Sequence, residues 1–427
     1  MPTLPGPWSS SIKRWRTRWL ARAALCAAAC GRPAAAPAPT GGEPELRVGL
    51  ADALPRVVLG GDGELFLTDD ANGQPIASVP AGATWIVVPD STGVGVRLLK
   101  PDGSLTEPHP GVAAVNVTEN HYATVNGVRY RGRLDVYRGT RGLVVMNRVK
   151  LESYVAGVLG GEMGPRRPDE IAALVAQAIV SRTFAVRNRG RWEAQGFDAY
   201  NDTRDQVYGG VGGESPQVWD ALRRTTGVIV TYEGQAIDAF FHSTCGYSTA
   251  AVDEAFRSAH PQPYLRPVSD ASGGGHYYCD ISPRFHWREE WDAQSLRTVL
   301  ARTLATTLGA DGQGLQPITD VEVTRTTKSG RVGELRIVFA HGEVRIAGAD
   351  VRSVLRPEPG RLLSSAAFQL YVTKQDGLVS RLVAAGAGSG HGVGLCQWGA
   401  IGRARAGQDY ETILRTYFPG TKLAQLY

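Results

Sequence analysis

The chain has 427 residues, 43% hydrophobic and 20% charged, with 52 Gly and 25 Pro. That is apolar material for two or three domains and too little charge for a disordered polyelectrolyte. Lys and Arg number 46 against 41 Asp and Glu, a net of +5, which gives no basic stripe for nucleic acid.

The chain opens on an export leader. Lys13, Arg14, Arg16 and Arg18 are followed by an Ala/Leu-rich stretch at 19–30, which holds Arg22, and an Ala/Pro run to Thr40. A basic start before a short apolar run is a secretory signal, and the run is too short to span a bilayer. Residues 1–42 therefore read as signal and spacer, and the body as exported to the cell envelope. Cys30 follows Ala28-Ala29 and precedes Gly31, as at a lipidated cysteine. Ala27 in place of the usual Leu, and Arg22 inside the apolar run, leave plain cleavage near Cys30 as the alternative. A lipid anchor there is the only membrane attachment expected.

Residues 43–120 read as β-rich: short runs at 46–50, 57–59, 65–67 and 85–88 alternate with Gly61-Asp62-Gly63 and Asn72-Gly73 turns. A second β group, around 130–147, opens a core segment at 121–285. The period then becomes helical. Leu151, Tyr154, Val155, Val158 and Leu159 fall on one stripe, Glu162 returns to it, and Gly160-Gly161 is expected to end the helix. A second helix is predicted over 169–187, with Pro168 in its first turn. A strand at 228–232 is expected to turn at Glu233-Gly234 into a partner at 237–241. Residues 286–370 read as an inserted α+β subdomain, and 371–427 close the core with a Gly-rich loop at 390–400. The fold class is α+β.

Glu162 is the most informative residue. A carboxylate on an apolar stripe loses hydration, which raises its pKa toward what a general acid needs. The plainer reading is a helix-end Glu paired with Arg182. His242 and His391 stand in Ser-, Thr- and Gly-rich loops, where turn histidines are common. The 390–394 glycines lack the Lys-Ser/Thr of a nucleotide loop. Cys396 with a His base would make a cysteine nucleophile, but its surroundings match no cysteine-protease signature. Three thiolates with the His242 imidazole could hold zinc. A Cys245–Cys279 disulfide beside a lone buried Cys396 is preferred, and no metal or other cofactor is expected.

Five ordered blocks resemble the stage II sporulation protein D family, which includes amidase enhancers. They are Leu151-Glu152-Ser153-Tyr154 through Gly161-Glu162-Met163, the run 173–185, Asp202-Thr203-Arg204-Asp205-Gln206-Val207-Tyr208-Gly209, Phe241-His242-Ser243-Thr244-Cys245-Gly246 and Gly390-His391-Gly392 through Gly399-Ala400. The resemblance implies a peptidoglycan lytic transglycosylase that cuts glycan strands and leaves 1,6-anhydro ends, with Glu162 as catalytic acid/base. It further implies Tyr154, Gln177, Arg182, Gln206, His242, Ser243 and His391 as sugar-cleft residues. Asn201, Arg204 and Asp205 stand where some family members carry zinc-binding Cys and His, so no metal is carried over there. The alternative it implies is a non-catalytic wall-binding protein that enhances a partner amidase.

Overall fold

The computed structural model describes residues 41–427 except Val94, Glu119 and 309–316. The expected export leader and Cys30 lie outside the described residues. The class is α+β.

One sheet runs in the order Ala199–Tyr200, Glu45–Leu54, Leu143–Lys150, Arg133–Arg138, Gly111–Asn116, Leu65–Asp69 and Pro75–Val79. A second runs Val96–Leu99, Thr84–Pro89, Val57–Gly61, Ala123–Val125 and Val128–Tyr130. The strand period of two sends Leu65 and Leu67 into the core and Phe66 outward, with Val57, Leu59 and Val87 buried likewise. Strands on both sides of residue 120 share both sheets. The expected boundary between 43–120 and the core is therefore not a division of the fold. Glu45 pairs with Lys150, a contact that local periodicity cannot register.

The helix Leu151–Met163 follows directly on the strand Leu143–Lys150, and Ile171–Arg187 packs against it. Residues 154–159 of the first and 173–185 of the second are all buried. A helix apolar on every side is a core helix rather than a surface amphipath, so the predicted stripe is only part of what is covered. Gly160-Gly161 do not end the first helix. It continues to Met163 and stops at Gly164, whose φ of 63° suits glycine. Glu162 thus lies inside the last turn.

The glycines have another use. A Cβ at Gly160 would sit 1.7 Å from the Gly213 carbonyl oxygen, and one at Gly157 would sit 2.5 Å from the Tyr208 ring. Hydrogen at both positions lets the 206–213 loop lie against the helix. Gly160→Ala should cost about 1–3 kcal/mol of overpacking, outweighing the roughly 1 kcal/mol gained in helix propensity. A lower urea midpoint is expected; an unchanged one would mean that the loop can withdraw.

Downstream, Val228–Tyr232 turns at Glu233 and Gly234, both at positive φ, into the short strand Gln235–Ala236. The expected partner at 237–241 does not form. The other edge of Val228–Tyr232 is taken by Lys422–Gln425, and Phe241–His242 pairs in parallel with Leu395–Cys396. The helix Gln397–Arg405 then presents Gly399 and Gly402 to neighbouring backbone and side chains. A Cβ at Gly402 would lie 1.9 Å from the Tyr278 carbonyl oxygen.

A second hydrophobic core gathers Leu296, Leu300 and Leu304 of the helix Ala293–Leu308 with Val321, Leu335, Ile337 and Leu382. It extends to Ala384, past the 370 at which the sequence reading ends the insertion, because Leu378–Ala387 is the central strand of one of its sheets. Among the described residues no helix is long and apolar enough to cross a membrane.

Candidate functional site

Glu162 lines a cleft of about 410 Å3 together with the 203–207 loop, Phe240 to Ser243, His391 and Gln397. It is half-buried. One carboxylate oxygen accepts a 3.4 Å bond from the Val207 N–H and the other a 3.4 Å bond from the Gln397 amide. Burial raises its pKa, and these two donors only partly offset that. Among the described residues no cation pairs with it. The plainer reading of Glu162 as a partner of Arg182 fails because that guanidinium is engaged elsewhere.

The opposite lining is aromatic. Phe240 and Phe256 pack with ring centroids 5.1 Å apart, and the His391 ring lies 5.2 Å from Phe256. His391 accepts the Val393 N–H at Nδ1, 3.1 Å away. Burial, reinforced by the neighbouring His242 and Arg352, holds its pKa well below the usual histidine value. The neutral ring therefore carries its proton at Nε2. His242 donates from Nδ1 to the Val393 carbonyl at 3.1 Å, and its buried Nε2 has no partner among the described residues.

Among the described residues the cleft has one other carboxylate, Asp205, and three donors hold it. It accepts from the Trp192 indole at 2.7 Å, the Tyr200 N–H at 2.9 Å and Arg191 at 3.3 Å. Asp202 is paired with Arg204 at 2.6 Å on the surface. Glu162 is thus the carboxyl group at the cleft that no strong donor claims.

Of the residues expected in the cleft, Glu162, His242, Ser243 and His391 line it. Four do not. Tyr154 is fully buried and bonds the buried Gln206 side chain at 3.3 Å, with its ring on Tyr208. These two support the loop from beneath. Gln177 is sealed inside its helix and bonds Ser181 at 3.1 Å. Arg182, 0% exposed, makes a bidentate pair with Glu152 at 2.8 and 2.7 Å and donates to the Val228 carbonyl. In a helix buried all round, a polar residue meets protein rather than ligand. Phe184, Arg191, Phe256 and Gln397 line the cleft without having been expected there, and of these Gln397 bonds the acid. The signal for Gln397 was its place in the Gly-rich block, immediately after Cys396.

Cys245 and Cys279 are free thiols with sulfurs 3.5 Å apart. Cys396 is not a separate thiol, because its sulfur joins theirs.

This is an α+β protein with a half-buried acid in an aromatic and polar cleft. The sequence profile described as Stage II sporulation protein matches residues 139–232, and one described as Domain of unknown function (DUF8618) matches 276–394. An uncharacterized protein of Brachyspira hyodysenteriae is 33% identical over 306 residues, 70% of this chain and 73% of its own length. The stage II sporulation protein D of Bacillus subtilis is 28% identical over 307 residues, 68% of this chain and 79% of its own. The amidase enhancer of Bacillus subtilis is 27% identical over 59% of this chain, a match that spans 38% of that longer protein. The chain belongs to the stage II sporulation protein D family.

Proposed function

We propose that this protein is an exported lytic transglycosylase acting on peptidoglycan glycan strands in the cell envelope. The observation that carries the reading is Glu162, a carboxyl with a raised pKa and no cation partner among the described residues, in a cleft whose other carboxylate is held by Arg191 and two N–H donors. Ordinary glycoside hydrolysis uses two carboxyl groups, one as acid and one to activate water or attack carbon. Closure by the substrate's own hydroxyl needs only one.

Protonated Glu162 donates to the glycosidic oxygen as the bond from muramoyl C1 to that oxygen breaks. The carboxylate so formed takes the proton of the muramoyl 6-hydroxyl, whose oxygen bonds to C1. The products are an N-acetylglucosamine 4-hydroxyl and a 1,6-anhydro-muramoyl end, and Glu162 is regenerated. The attacking group is already tethered to the reacting carbon, which replaces a bimolecular step by an intramolecular one. The Phe240 and Phe256 side offers apolar faces to sugar rings, while Ser243 and His391 offer polar contacts.

Incubation of purified glycan strands, with and without stem peptides, tests this. Soluble fragments ending in muramoyl units lighter by one water are expected. Intact strands, together with stimulation of a peptidoglycan amidase, would favour the enhancer role suggested by the resemblance to the Bacillus subtilis amidase enhancer.

Gln397 gives a finer test. Its amide favours the ionised form of Glu162, so Gln397→Ala should raise the acid's pKa further. The rate requires the protonated acid, so the alkaline limb of the kcat/KM profile should move to higher pH. The maximal rate should fall about tenfold or more as orientation is lost. A limb that stays in place would mean that Gln397 does not bond the acid during turnover.

A further inference from the structure

We propose that Cys245, Asp270, Cys279 and Cys396 form a structural zinc site that fastens one wall of the cleft. One potential ligand atom from each lies within 4.8 Å of all the others, and all four residues are buried. The fourth member is a carboxylate rather than the His242 imidazole considered from the sequence. Sulfurs held tetrahedrally at about 2.3 Å from one metal stand about 3.8 Å apart. The Cys245 and Cys279 sulfurs, at 3.5 Å, are close to that spacing.

The surroundings suit an anionic cluster. Cys396 caps the helix Gln397–Arg405, and its sulfur accepts the N–H groups of Cys245 at 3.1 Å and Gly399 at 3.3 Å, bonds that favour a thiolate. Asp270 is oriented by Tyr417 at 2.7 Å and Arg403 at 3.4 Å on one oxygen and by the Cys279 N–H at 2.9 Å on the other. A carboxylate has about four lone-pair sites, so the second oxygen retains one for a metal. Partners of this kind are what hold a metal ligand in place.

Charge gives an independent argument. Arg331, 3% exposed, donates to the Cys245 carbonyl at 3.0 Å, and its Nε has no partner among the described residues. A buried guanidinium without a counter-anion is costly. Three thiolates and a carboxylate carry four negative charges. A zinc ion supplies two positive charges, and the buried Arg331 and Arg403 supply the other two. Loading releases the three thiol protons to solvent. A Cys245–Cys279 disulfide would use two of the four groups and leave Cys396 and Asp270 side by side in the core.

The site joins three distant stretches of chain. Cys245 follows His242-Ser243, Cys396 precedes the Gln397 that bonds Glu162, and Asp270 and Cys279 lie on the segment between. The ion would act by positioning, with no part in the chemistry of the cleft.

The full exported chain, purified without chelator, should hold about one zinc per molecule and titrate three thiols in denaturant after chelation. The chelated protein should take up cobalt with the visible absorption of a tetrahedral thiolate complex. Asp270→Asn, which preserves shape, should weaken zinc binding by at least about tenfold. These readouts require no glycan cleavage. One free thiol, or three thiols in a protein that takes up neither zinc nor cobalt, would overturn the proposal, and the cobalt titration of the parent decides even if the variant does not fold.

Discussion

Glu162→Gln should remove glycan cleavage, by at least about a thousandfold, while strand binding and fold persist. A positioned general acid contributes roughly 10²–10⁴-fold, and here one carboxyl both donates and accepts the proton. Glutamine keeps the shape and an acceptor for the Val207 N–H but cannot ionise. The stability effect has a definite sign. Burial raises the Glu162 pKa in the folded chain, so the native state holds this proton more tightly than the unfolded state does. Ionisation therefore costs stability, nothing below the unfolded pKa and progressively more as pH rises through the folded one. Relative to the parent, the glutamine variant should gain in thermal midpoint between acid and neutral pH. A variant that binds strands, melts normally and still cleaves would remove Glu162 from the chemistry.

Arg182→Met should destabilise the protein by about 3–5 kcal/mol, the cost of leaving the partner of a buried ion pair alone. Glu152 is 12% exposed and also accepts from the Gly227 N–H at 3.0 Å and from the Tyr427 hydroxyl. The Arg182→Met, Glu152→Leu double variant should lose less than the sum of the single changes, because neither charge is then left unpaired. Urea denaturation of the four proteins gives the coupling. A stable Arg182→Met protein with only a raised KM would instead make Arg182 a sugar contact.

The sequence made local features legible. Alternation located about half of the strands of the two N-terminal sheets and missed Pro75–Val79, Val96–Leu99, Gly111–Asn116 and Ala123–Val125; the change of period located both central helices, and Glu162 stands out as a polar residue on an apolar stripe. Features set by distant pairing were hidden. The Glu233-Gly234 turn marks 237–241 as a hairpin partner, yet Phe241–His242 is claimed by Leu395–Cys396, more than 150 residues away. Arg182 and Gln177 occupy family motif positions, and a motif position does not distinguish a cleft residue from one that supports the core. Asp270 carried no sequence signal at all. Only the fold brings it to the three cysteines.

The most direct measurement of the central proposal is cleavage of purified glycan strands in heavy-oxygen water, read by mass spectrometry of the muramoyl ends. Attack by the 6-hydroxyl predicts ends lighter by one water and free of the heavy isotope. Reducing muramoyl ends carrying heavy oxygen would show that water is the nucleophile, and would contradict a mechanism with Glu162 as its only carboxyl group.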